Sequence, residues 1–149
     1  MFMVKILGVV LIVMSGTFTG FWKSKSFIDR ARKITLLLEG TNMLLNYVEQ
    51  EYDLEFAIKS SFKKCSFLKK INDKLFCCDS DLKNDNALIN EFFSCLGNSI
   101  KKIERDRINC FLISLKARLK EAENDAAQKG KIYQMLGICA GLTLGILLV

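Results

Sequence analysis

From Ile132 to Val149 the chain carries no charged residue. At about 1.5 Å per residue such a helix is roughly 27 Å long, close to the hydrocarbon thickness of a bilayer. The run is long enough to span. Gly137, Gly141 and Gly145 recur every four residues, so on a helix they form one stripe without side chains where another backbone can approach closely. A second uncharged run covers the seventeen residues from Ile6 to Trp22, with Lys5 near enough to its end to snorkel to an interface. Gly16 and Gly20 give this segment its own small-residue face, expected to pack against the C-terminal helix. A cleaved signal peptide is the rival reading of this segment, with Lys5 as its basic region and cleavage within Ser15–Gly20. The basic cluster after Trp22 opposes export, and no A-x-A-like site is present.

All sixteen acids and twenty-one of the twenty-two Lys and Arg lie between Lys23 and Lys131. The sequence therefore predicts a polar middle between two apolar ends: a transmembrane helix over 1–22, a helical domain over 23–131 and a second transmembrane helix over 132–149. Lys23, Lys25, Arg30, Arg32 and Lys33 follow the first run, and Lys129 and Lys131 precede the second. By the positive-inside rule both flanks, and the domain between them, lie in the cytoplasm. The formal charge of +6 is spread among acids and shows no RNP-like or zinc-finger pattern, so lipid headgroups fit it better than nucleic acid.

Within the middle, Ile34, Leu37, Leu38, Thr41, Leu44, Leu45 and Val48 recur at three and four, predicting a helix from Ser26 to Gln50. Asp53 is a candidate N-cap for a helix using Leu54, Ala57, Ile58, Ser61 and Phe62. A third, short helix is expected through Phe67, Leu68, Ile71, Leu75 and Phe76. The polar run Asp79–Asn86 reads as a loop, after which Asp85 caps a helix with Leu88, Ile89, Phe92, Phe93 and Leu96 inside. Gly97 supplies a left-handed helix stop, with Asn98 or Ser99 the next cap. A long pattern from Ile100 (Ile103, Arg107, Cys110 and Phe111, then Ile108, Leu112, Leu115, Leu119, Ala122 and Ala126) then runs without a break to the second apolar segment. With no proline and no alternating strand, the expected class is all-α, a helical bundle of about five or six helices between two transmembrane helices.

The chain has no histidine, which removes the commonest general base and the main nitrogen ligand for metals. No phosphate-binding glycine loop is present either. The carboxylate groups Glu49/Glu51/Asp53 and Glu121/Glu123/Asp125 are spaced by two, which points them apart on a helix. No catalytic, cofactor or metal site is expected. Cys65, Cys77, Cys78, Cys95, Cys110 and Cys139 are irregularly spaced and read as small buried hydrophobes in a reducing compartment, the vicinal Cys77–Cys78 pair included.

The C-terminal third is more specific. Lys116–Glu123, then Lys129-Gly-Lys-Ile-Tyr-Gln-Met-Leu-Gly137 and Gly141-Leu-Thr-Leu-Gly-Ile-Leu-Leu148, resemble the stage III sporulation protein AB family of endospore-forming bacteria. Lys131, Tyr133, Leu136, Gly137, Gly141 and Leu142 fill the family's end pattern. Leu96, Gly97 and Ser99 match its Leu-Gly-x-Ser corner, although Ile100 stands where the family carries an acid. The resemblance implies a component of the channel linking mother cell and forespore during engulfment, lying in the outer forespore membrane. It also implies a cytosolic domain similar to the F-type platform of type II secretion machines and a secretion-type ATPase as partner.

On this reading the protein is a non-enzymatic scaffold that docks the ATPase, while its spans contact lipid and other channel subunits. Candidate partner contacts are the basic residues Lys63, Lys64, Lys69, Lys70, Lys101, Lys102, Arg105 and Arg107. The competing reading is an exported, disulfide-stabilised helical protein anchored by its tail. A general type II or type IV pilus platform is a third, but those carry a duplicated helical domain that this length cannot hold.

Overall fold

The computed structural model describes residues 2–71, 74–97 and 100–147, with the side chains of 2–7, 9, 12, 71, 101, 145 and 147 left aside. The element order is α1 (Phe2–Glu49), α2 (Leu54–Ser61), β1 (Leu68–Ile71), β2 (Lys74–Cys77), α3 (Asn86–Cys95) and α4 (Lys101–Leu147). The protein is thus mostly helical, with four helices among the described residues rather than five or six. Among the described residues no helix is long and apolar enough to cross a membrane.

The chain divides into two compact units, one made of Met1–Asp29 with Ala122–Val149 and the other of Arg30–Glu121. In the second unit the predicted apolar stripes form the core. Ile34, Leu37, Thr41 and Leu44 of α1, Ala57 of α2, Ile89 of α3 and Ile108 of α4 are fully buried. Phe62, Phe92, Phe93 and Phe111 fill the centre, the last stacking on Phe92 at 3.9 Å between ring centroids. Gly40 is required here because a Cβ would fall 2.8 Å from the Phe62 ring. The α4 stripe holds at Ile108, Phe111, Leu112 and Leu115, whereas Ile103 and Cys110 are exposed.

The third predicted helix is absent. Its residues form a two-stranded antiparallel hairpin in which Leu68 pairs with Cys77 and Lys70 with Leu75. An isolated hairpin of four-residue strands is marginal in water, so something must hold it. Asn90 of α3 does: its Oδ1 accepts the Cys77 N–H at 2.7 Å and its Nδ2 donates to the Cys77 carbonyl at 3.1 Å. The side-chain amide stands in for a neighbouring strand, satisfying backbone groups that a helix would have paired internally. Lys74 adds a hydrogen bond from Nζ to the Ser94 carbonyl at 3.1 Å.

Candidate functional site

In the first unit, the glycines read as a docking face are occupied by one another. A Cβ on Gly16 would lie 2.9 Å from the Gly137 carbonyl oxygen, one on Gly20 2.6 Å from that of Tyr133, and one on Gly137 2.7 Å from that of Gly16. A Cβ on Gly141 would lie 3.1 Å from the Val13 Cα. The two helix segments therefore touch backbone to backbone, as small-residue faces allow. Gly145 falls among the residues whose side-chain surroundings are outside the description. Ser24 and Gln134 extend the contact with a 3.2 Å hydrogen bond, and Phe27 stacks on Tyr133 at 5.8 Å.

This inward use of the glycines turns the large apolar side chains outward. Leu11, Met14, Phe18, Phe21, Trp22, Met135, Leu136, Ile138 and Leu142 are all exposed, Trp22 and Met135 by 70%. So large an apolar surface marks an interaction face rather than an ordinary water-facing one. The hydroxyls of Thr17, Thr19 and Thr143 return to carbonyls one turn back, leaving the exterior with few unsatisfied polar groups. Lys23, Lys25, Lys129 and Lys131 are exposed, the third pairing with Asp125 at 2.7 Å.

In the second unit, Arg30 stands at the head of the buried stripe of α1. Its Nε donates to Asp85 Oδ2 at 2.9 Å and its Nη2 to Oδ1 at 3.2 Å, with both side chains buried. Arg118 lies 3.7 Å from the same carboxylate, and Glu121 lies 3.9 Å from Arg30 and 3.3 Å from Arg118. Asp85 does precede α3, but it makes no side-chain cap hydrogen bond; its carboxylate is taken by Arg30. Asp53 likewise precedes α2 without a cap bond from its side chain. Lys33 binds Asp79 and Asp81 at 2.6 and 2.7 Å, tying the predicted loop to α1. Burial works to lower the Lys33 pKa, but those two carboxylates outweigh it and hold the ammonium above the usual lysine range.

Arg30 was legible in principle. A charge four residues before Ile34 and seven before Leu37 lies on the buried face and needs an acid. Asn90 and Glu104 carried no comparable signal.

At the family-motif corner Leu96 is buried and Gly97 has a φ of +87°, which suits glycine. Asn98 and Ser99 lie outside the described residues. Glu104 completes the corner by accepting the Gly97 N–H at 2.9 Å. Of the motif residues in the first unit, Tyr133, Gly137 and Gly141 make the contacts given above, while Lys131, Leu136 and Leu142 point outward.

The basic candidates stand on three separate elements. Lys63 and Lys64 lie in the turn after α2, Lys69 and Lys70 on β1, and Lys102, Arg105 and Arg107 on α4, with the side chain of Lys101 outside the description. Arg105 pairs with Glu49 at 2.8 Å, and Arg107 turns back to the Cys95 carbonyl at 2.6 Å. Cys65 and Cys77 are buried as expected; Cys78, Cys110 and Cys139 are exposed. Burial, then the charges of Glu39 and Cys77, push the Cys65 thiol up to about 11.

A family model described as stage III sporulation protein AB matches residues 76–149. The stage III sporulation protein AB of Bacillus subtilis (strain 168) is 28% identical over 174 aligned residues, covering 98% of this chain and 99% of that protein. The chain belongs to the stage III sporulation protein AB family. The family model begins at Phe76, within β2, and so takes in Asn90, the Leu96–Gly97 corner and the whole of α4. No solved structure matches the chain.

Proposed function

We propose that this stage III sporulation protein is a non-enzymatic, two-pass membrane scaffold of the mother cell–forespore channel, docking a secretion-type ATPase on its helical unit. The observation that carries the membrane part is the backbone contact of Gly16 and Gly20 with Gly137 and the Tyr133 carbonyl, which joins the two uncharged runs and sends their large apolar side chains outward. That arrangement suits hydrocarbon, where close backbone packing rather than burial of apolar surface joins helices. The exposed lysines flanking each run favour a cytoplasmic location for the unit between them, with lipid and other channel subunits against the outer apolar faces. For the helical unit, membership of the family supports the docking role. The charged groups it gathers, Arg30, Asp85, Arg118 and Glu121, neutralise one another, which favours architecture over proton transfer.

Cys78 and Cys110 are exposed on the helical unit and serve as reporters of its side of the membrane. In intact sporulating cells a membrane-impermeant thiol reagent should leave both unlabelled until the membranes are opened. Labelling before permeabilisation would invert the topology and favour the exported reading.

A further inference from the structure

Three observations meet at one cleft of about 340 Å³ in the helical unit, lined by Glu51, Tyr52, Asp53, Gly97 and Glu104 among others. Glu104 is 4% exposed, and although its Oε1 accepts the Gly97 N–H and lies 3.5 Å from Arg107 Nη1, its Oε2 has no hydrogen-bond partner. A buried carboxylate oxygen without a donor is costly and uncommon in a native fold. Glu51 has a φ of +61°, a left-handed conformation that a non-glycine side chain strains to adopt, and it carries the chain from α1 into the cleft wall. Tyr52 and Phe56 are half exposed and meet each other and Tyr47 ring to ring, at 5.4 to 6.1 Å.

The local charge opposes that of the whole chain. Glu51, Asp53 and Glu55 fall within five residues that contain no Lys or Arg, next to a Glu49 already paired with Arg105, in a protein of net charge +6. A metal ion fits poorly, since among the described residues no three acids or cysteines are placed to share one. A cationic side chain fits well: its stem and face lie against Tyr52, its charge meets the acidic rim, and its N–H groups reach toward the carboxylate of Glu104. We propose that this cleft receives an arginine or lysine side chain presented by a protein partner. The inference rests on the docking role proposed above, and it moves the contact from the basic residues of the surface to an acidic, aromatic one.

The test uses the full chain in nanodiscs with 3-fluorotyrosine at its three tyrosines, Tyr47, Tyr52 and Tyr133. On titration with N-acetyl-argininamide the Tyr52 resonance should shift saturably while Tyr133 stays fixed. N-acetyl-norleucinamide should shift neither. Glu104→Gln and Glu51→Gly should each weaken the arginine probe at least fivefold, and Glu51→Gly, which relieves the backbone strain, should do so without lowering the thermal midpoint. Absence of a saturable shift, an equal shift with the norleucine probe, or indifference to both variants overturns the cleft. The purified secretion-type ATPase then separates the two ideas. If it fails to bind the unaltered chain, the docking role falls. If it binds as well to Glu51→Gly but not to a chain neutralised at Lys63, Lys64, Lys69 and Lys70, docking stands and the cleft is overturned.

Discussion

Asp85 carries two readings that a single substitution separates. As a helix cap it would tolerate asparagine, because Asn and Asp cap helices about equally well. As the partner of Arg30 it would not, because a neutral amide would leave a guanidinium with 9% side-chain exposure without its buried counter-charge, the exposed Glu121 carboxylate at 3.9 Å being a poor substitute. Asp85→Asn should therefore destabilise the protein by about 3 kcal/mol, the usual cost of breaking a buried pair from one side. Replacing both residues, Arg30→Met with Asp85→Leu, should recover most of that loss, since a well-packed apolar pair can substitute for a buried ionic one. Chemical denaturation followed by helical circular dichroism measures both. A neutral Asp85→Asn would return the residue to its capping role. The cap was legible because Asp in a polar run before an apolar helix is a local signal. The ion pair spans 55 residues, and only the position of Arg30 on the buried stripe hinted at it.

Among the elements, the helices were legible wherever their periodic stripe faces a core, from Ile34 to Leu44 and from Ile108 to Leu115. The hairpin was not, because Leu68, Ile71, Leu75 and Phe76 satisfy helical spacing over so short a run, and Asn90, the group that stabilises strands there, is distant in sequence. The glycine spacing told that a backbone could approach, with the other apolar run as the expected partner. Gly16, Gly20, Gly137 and Gly141 find their partner within the same chain. Ser24 and Gln134, hydrogen-bonded at 3.2 Å, offer a readout of that contact. In a background without native cysteines, Ser24→Cys with Gln134→Cys should form a disulfide on mild oxidation. Adding Gly137→Leu, whose side chain would collide with the Gly16 carbonyl, should suppress the cross-link at least tenfold. Undiminished cross-linking would mean the segments meet without needing the glycine.

At the scale of the whole molecule, the two units draw on different physics: one on backbone contact between small residues, the other on a phenylalanine core closed by ion pairs. Cys65 lies in the second and reports its integrity alone. Its thiol, raised to about 11 from the ordinary 9.0, holds its proton at pH 8, so about a hundredfold less thiolate is available than in an unfolded chain. A pKa raised on folding adds stability that is fully present below the ordinary thiol value and is lost as pH climbs through about 11. The lysine latch on Asp79 and Asp81 has the same sign: its ammonium is held above the usual lysine range, so its contribution is lost only at still more alkaline pH than an ordinary lysine would lose its charge. With Cys65 as the only thiol, alkylation at pH 8 should be about a hundredfold slower than in denaturant, and it should go on rising with pH until about 11. Gly137→Leu should leave that rate unchanged, because the contact it breaks belongs to the other unit. If the variant instead exposes Cys65, the two units unfold as one cooperative block, and a change to the glycine contact would be transmitted to the docking surface proposed for the helical unit.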